Sequence, residues 1–313
     1  MKVKDFGHTP VLLEEVLHGL KLRPDGTYVD CTFGRGGHSR AILDRLGSDG
    51  RLFVLDRDPE AVALARQLAQ NEPRLACVHA GFSGLRRELE TRGLCGQVDG
   101  ILFDLGVSSP QLDDAGRGFS FAREGELDMR MDPGSGSSAA DWLNRASERD
   151  IARVLFEYGE ERHARRIARA IVRARAERPL GTTTQLAAIV AAASPSRERD
   201  RHPATRTFQG IRIYINDELE ELRRGLAAAF DCLVCGGRLL VISFHSLEDR
   251  IVKRFMRDLA RPDPGPRELP VPAADLQPRL QRIGKLITPG AAEVRDNPRA
   301  RSARLRVAEK LAA

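Results

Sequence analysis

No stretch of this 313-residue chain approaches the ~20 uninterrupted apolar residues of a membrane span. Its first residues, Met1-Lys2-Val3-Lys4-Asp5, run straight into polar sequence, without the apolar core of a secretion signal. Cysteine is scarce. Five thiols, an odd number spread thinly, fit a reducing cytosol better than a disulfide framework. Aromatic residues are only 5% of the chain, and lysine supplies six of the fifty basic residues. Cys232-Leu233-Val234-Cys235 has no second ligand pair, so a zinc site is not expected, and both cysteines read as a buried pair at a helix end. What remains is an ordinary globular balance, 42% hydrophobic and 30% charged, with length for about two domains. The net charge of +6 mildly favours a polyanionic partner.

Strand and helix patterns alternate over the first hundred residues. Thr27–Cys31, Arg51–Asp56, Leu75–Val78 and Val98–Asp104 read as strands, and Ser39–Leu46 and Pro59–Ala69 as helices, the second capped by Asp58. That rhythm predicts a parallel sheet covered on both faces. It stops near Gln111. Gly134–Ser138 looks like a hinge, and helices are expected over Ala139–Asn144, Glu148–Tyr158, Glu161–Arg178 and Thr184–Ala193. The sheet pattern resumes with a helix at Asp217–Phe230, a buried strand at Arg238–Phe244 and a helix at Ser246–Leu259. Leu280–Ile287 and Ser302–Glu309 alternate as an antiparallel pair would. The expected α/β architecture is one discontinuous domain, residues 1–111 and 209–313, interrupted by an all-helical insert over 112–208 for RNA or substrate recognition.

The most informative local pattern is strand, glycine turn, helix, acid. In Gly34-Arg35-Gly36-Gly37-His38-Ser39 the glycines let a ligand approach the backbone, and Asp56 stands 22 residues after Gly34, where an acid would accept both ribose hydroxyls of a nucleoside. The match to G-x-G-x-x-G is partial, because serine holds the last position. The terminal antiparallel pair points away from a dinucleotide fold and toward a Rossmann-like class I methyltransferase binding S-adenosylmethionine. Phe82, just after the third strand, is placed to stack on an adenine or to serve as an ordinary core aromatic. Asp104 to Gln111 follows the fourth strand, at the sheet edge where such folds hold ligands. There Asp104 or a backbone carbonyl would accept a hydrogen bond from the N–H of an aromatic amino group attacking a methyl, a reaction that depends chiefly on positioning. Asp104 also suits a loop cap or a cofactor contact.

Longer motifs run in order along nearly the whole chain: His8–Leu13, Gly34–Ser39, Asp104–Gln111, Arg117–Phe121, Leu127–Asp132, His202–Gln209 and Ser243–Arg250. With them the sequence resembles the RsmH (MraW) family, the bacterial small-subunit ribosomal RNA methyltransferases. The resemblance implies a class I methyltransferase domain with a helical insert, S-adenosylmethionine as cofactor, and methylation of cytidine N4 in the decoding region of 16S ribosomal RNA. It carries cofactor contacts onto Gly36, Gly37, His38, Asp56, Phe82, Asp104 and Gln111. Gly210 departs from the alanine expected there, at a cost of about 1 kcal/mol in a helix. RNA-contact candidates are His8, Thr9, Ser108, Arg206, Phe244, His245, Arg299 and Arg301, with Ser246 a possible helix cap. Arg162, Arg166, Arg169 and Arg173 recur at three- and four-residue spacing, either a phosphate-tracking stripe or a solvated face. The expected partner is small-subunit ribosomal RNA, assembled or nearly so, in the cytoplasm, with no metal and no membrane. A DNA amino-methyltransferase of the same fold is the nearest rival, but Asp104-Leu105-Gly106-Val107 is not the Asn/Asp-Pro-Pro-Tyr/Phe loop of such enzymes. A ribosome-assembly module without catalysis is the other.

Overall fold

The computed structural model of the protein describes residues 10–194, 202–261 and 277–312. The chain divides into two compact units, Met1–Gly106 with Leu219–Ala313, and Val107–Glu218. No helix among the described residues is long and apolar enough to cross a membrane.

The first unit alternates helix and strand through α1 (Leu13–Leu20), β1 (Thr27–Asp30), α2 (Gly37–Leu43), β2 (Arg51–Asp56), α3 (Pro59–Ala69), β3 (Leu75–His79), α4 (Leu85–Glu90) and β4 (Val98–Asp104). The chain then enters the second unit, with α5 (Ser109–Asp113), α6 (Ala139–Arg145), α7 (Glu148–Glu157), α8 (Ala164–Glu177), α9 (Thr183–Ala193) and α10 (Ala204–Ile215). It returns through α11 (Glu218–Cys232), β5 (Leu233–Ser243), α12 (Ser246–Leu259), β6 (Leu280–Ile287), α13 (Ala291–Asp296) and β7 (Arg304–Lys310).

The seven strands form one sheet in the order β3-β2-β1-β4-β5-β7-β6. β1 to β5 are parallel, and β7 runs antiparallel to both β5 and β6. Side chains alternate across a strand, so two buried faces require continuous apolar runs. Val29, Phe53, Leu55, Ile101, Phe103, Leu239 and Val241 pack on one side with Leu85, Leu222, Leu226, Val252 and Met256. Tyr28, Leu52, Val54, Leu102, Leu240 and Ile242 face the other side, against Val16, Leu20, Ile42, Ala61 and Ala65. The Rossmann-like sheet with its terminal antiparallel pair, expected from the sequence, is therefore present, and Asp58 caps α3 by accepting the Glu60 N–H at 3.0 Å.

The second unit is helical around its own core, which includes Leu143, Ile151, Leu155, Ile167, Ile171, Leu186, Phe208 and Ile211. It contains the 112–208 span and extends it at both ends, because α10 continues to Ile215 and buries Phe208, Ile211 and Ile213. The Leu127–Asp132 motif is tied down here. Asn216 accepts the Met131 N–H at 2.7 Å and donates to the Met129 carbonyl at 2.7 Å. Asp128 grips Arg130 through bonds of 2.8 and 2.7 Å.

Two local expectations are corrected. Cys232 is buried at the end of α11, but Cys235 is exposed on β5, which begins at Leu233 and carries it outward. The thiol beside Cys232 is Cys95, with the sulfurs 2.8 Å apart. The cap of α12 is His245 and not Ser246.

Candidate active site

Three neighbouring parallel strands end in aspartate. β2, β1 and β4 place Asp56, Asp30 and Asp104 along one edge of the first unit. At the carboxyl edge of a parallel sheet the chain turns away from the ladder, so these groups sit where ligands bind in such folds.

The glycine turn after β1 is fastened to the end of β2. Asp56 accepts the Gly34 N–H at 2.8 Å through Oδ2 and the Asp58 N–H at 2.9 Å through Oδ1. Each oxygen retains one lone-pair direction for a further donor. Burial pushes the Asp56 carboxyl up to about 6; the two backbone donors oppose the rise, and the charges of Asp58 and Asp30 add to it. Gly36 sits at φ 75°, and a Cβ there would lie 2.7 Å from the Phe33 ring. A Cβ on Gly37 would meet Pro10 at 2.4 Å. Both glycines are thus required by the turn itself, independently of any ligand.

Beneath this turn lies a buried polar chain. Asp30 accepts the Ser39 hydroxyl at 2.6 Å, the Thr32 N–H at 3.0 Å and the Thr32 hydroxyl at 3.2 Å. Thr32 Oγ1 in turn accepts the Asp104 N–H at 2.8 Å, which joins the ends of β1 and β4. His38 is buried with Nε2 3.6 Å from Asp104 Oδ2, an ion-pair distance. Burial pulls the His38 imidazole down, but the carboxylates of Asp104 and Asp30 push it up and prevail. Burial raises the Asp30 carboxyl, against the opposing effects of Ser39, His38 and Thr32. Asp104 Oδ1 is buried with no hydrogen-bond partner among the described residues. That oxygen is able to accept a further hydrogen bond.

Phe82 stands in a short turn after β3, half-buried, its ring edge-on to Phe103 at 5.2 Å. Phe244 follows β5 and packs at the margin of the second core cluster. A Cβ on Gly106 would come within 3.7 Å of its ring. His245 Nδ1 accepts the Glu248 N–H at 3.4 Å, and Glu248 Oε2 accepts the Phe244 and His245 N–H groups at 2.8 and 3.3 Å. This reciprocal cap fixes the turn that presents Phe244. Arg299 and Arg301 are exposed on a short 3₁₀ turn, Pro298–Ser302.

Ser108, Gln111 and Arg206 belong to the second unit. Gln111 is buried, and its Oε1 accepts the Ser108 N–H at 2.8 Å across the first turn of α5. Arg206 is half-buried in α10. His8 and Thr9 lie outside the described residues.

In the first unit the structure thus gathers Gly36, Gly37, His38, Asp56 and Asp104 at the ends of β1, β2 and β4. Sequence reasoning overlooked Asp30, Thr32 and Ser39. The available signal was an acid near the end of the first strand, the same placement that singled out Asp56 and Asp104.

A model of the MraW methylase family matches residues 5–311. Two relatives, each named Ribosomal RNA small subunit methyltransferase H, come from Coxiella burnetii strains RSA 331 / Henzerling II and RSA 493 / Nine Mile phase I. Each is 57% identical over 304 residues, covering 97% of this chain and 99% of the relative. Among solved structures, an rRNA methylase from Streptococcus thermophilus aligns over 96% of this chain and 93% of its own, at 12% identity and a TM-score of 0.40.

Proposed function

The chain belongs to the MraW methylase family, and from that premise we propose that it methylates the N4 amino group of a cytidine in the decoding region of small-subunit ribosomal RNA. S-adenosylmethionine is the methyl donor; when bound it supplies an electrophilic methyl carried on a sulfonium. The observation that carries the reading is the aspartate-lined edge of the first unit, with Asp104 Oδ1 buried and lacking a partner among the described residues.

The residues present suit this donor. Asp56 has one lone pair left on each oxygen for the two ribose hydroxyls. The carboxylates of Asp30, Asp56 and Asp104 make the edge attractive to a cation. Gly36 and Gly37 keep the turn free of side chains, and Phe82 is assigned to stack beside or under the adenine.

Cytosine N4 is a weak nucleophile because its lone pair feeds the ring. An acceptor on its N–H draws the nitrogen toward tetrahedral geometry, and Asp104 Oδ1 is the acceptor assigned here. Asp104 is the catalytic residue of this reading. Thr32 is a positioning residue, since it holds the Asp104 N–H and is itself anchored on Asp30. His38 balances the Asp104 charge. Phe244 offers a face for the displaced base, and His245 acts through the turn it caps. Ser108, Arg206, Arg299 and Arg301 remain assigned to RNA, as do His8 and Thr9.

The test is a methyl-transfer assay with tritiated cofactor, comparing immature small subunits with DNA. Incorporation into the 16S RNA alone supports the assignment, and label in DNA refutes it.

A further inference from the structure

The helical unit carries a surface that the methyl-transfer site does not use. α8 has Arg165, Arg166, Arg169 and Arg173 on its exposed side. At about 100° per residue these four fall within about 100° of one another and extend over roughly 12 Å. The opposite side, Ala164, Ile167, Ala168 and Ile171, is buried in the core of the unit. Arg162, exposed in the preceding turn, lengthens the stripe. Among the described residues Arg169 alone of the four helical arginines meets a carboxylate, Glu148 at 3.7 Å, and its side chain is still 78% exposed.

Helix physics disfavours this arrangement. Like charges three and four residues apart repel. The first turn of α8 is basic and contains no acid, which opposes the helix dipole. A solvated face gains nothing from such a pattern, whereas a polyanion would neutralise it.

A second observation lies beside the stripe. Phe156 on α7 is 67% exposed, in a chain with few aromatic residues. Glu148, Ala152 and Phe156 recur every four residues on one ridge of α7, the helix packed against α8; its Glu148 end reaches Arg169, and Phe156 stands about 12 Å further along the ridge. A basic track with an exposed ring next to it is the arrangement that holds single-stranded nucleic acid, phosphates on the cations and a base on the ring.

We infer that the exposed face of the α7–α8 hairpin is a docking surface for single-stranded RNA, with Arg165, Arg166, Arg169 and Arg173 on phosphates and Phe156 stacked on a base. This rests on the proposed RNA substrate and extends it to a second contact region.

The test uses the full-length protein with all four arginines changed to glutamine, and separately Phe156→Ala. Binding of a fluorescent single-stranded RNA is followed against salt. Loss of four phosphate contacts lowers the magnitude of the log–log salt slope by about 3. Phe156→Ala weakens binding about fivefold or more with the slope unchanged. The KM for small subunits rises about tenfold or more in the arginine variant, since salt-dependent phosphate contacts carry much of the affinity. Affinity for S-adenosylhomocysteine holds and the melting temperature holds or rises as the repulsion along α8 is relieved, which excludes misfolding. Parent-like slope and KM in the arginine variant overturn the inference. So does a raised KM with an unchanged slope on RNA, which gives the surface to an acidic protein. Neither outcome touches the methylation assignment, which is read from the parent protein's product.

Discussion

Asp56→Asn separates two roles that the structure assigns to one carboxylate. Asp56 holds the glycine turn through the Gly34 and Asp58 N–H groups at 2.8 and 2.9 Å, and its remaining lone pairs are assigned to the ribose. Asparagine keeps one carbonyl oxygen, so one backbone donor is left unpaired, at a cost of about 1–3 kcal/mol of stability. Alanine removes both acceptors and costs roughly twice that. Hydrogen bonds to a charged group contribute about 1.5–3 kcal/mol each. Asparagine loses one ribose bond and the charge behind the other, so cofactor affinity falls by about 1.5–3 kcal/mol, roughly ten- to a hundredfold, and alanine, which loses both, falls further. Calorimetry with S-adenosylhomocysteine beside a thermal melt separates the effects. The pH dependence follows from the same group. The ionised carboxylate is the form that accepts two hydroxyl protons, and its value in the ligand-free protein is raised to about 6. Affinity is then flat well above pH 6 and falls by up to about tenfold per pH unit below it. Asp56→Asn flattens that profile. A variant that melts lower yet binds the cofactor like the parent, with an unchanged profile, would refute the ribose assignment.

Other substitutions test the rest of the account. Thr32→Val leaves the buried Asp104 N–H without its acceptor, and a loss of about 1–3 kcal/mol in denaturant unfolding is expected together with slow methyl transfer. Thr32→Ser restores both, which a purely volumetric role for threonine does not predict. Gly210→Ala would ordinarily stabilise a helix by about 1 kcal/mol. Here a Cβ would meet Gly159 N at 2.8 Å, so the variant loses about 1–3 kcal/mol and melts lower. Asp249 pairs with Arg304 at 3.0 Å and Arg306 at 2.7 Å. Burial raises its carboxyl, but the two arginines outweigh burial and hold it below the usual range. Its contribution is present above about pH 4 and is lost as pH falls further. Asp249→Ala should therefore lower stability at pH 7 and converge on the parent in acid melts.

The legible parts of the fold were those set by local pattern. The apolar runs of β2 and β4 are continuous because the sheet is covered on both faces, and α3 announces itself with Asp58 before Pro59. Asp56 and Asp104 could be picked out because an acid ends each run. The buried polar chain was not legible in the same way. Thr32 matters to Asp104 only because β1 and β4 lie side by side, a pairing between residues 72 apart in sequence. The Cys95–Cys232 contact joins residues 137 apart for the same reason. α10 was not singled out from the sequence, and the glycine within it is explained by the close approach of the Gly159 and Val154 backbone, which no local pattern announces. The exposed Phe156 gave no signal either, since periodicity alone cannot tell an uncovered aromatic from a buried one.

The most direct measurement is the identity of the product. Purified protein, labelled S-adenosylmethionine and small subunits from a strain lacking this enzyme are incubated together, and the RNA is digested to nucleosides for mass spectrometry. The account predicts labelled N4-methylcytidine from the decoding region, with none formed by Asp104→Ala. Label on another nucleoside, or an undiminished yield from that variant, would contradict it.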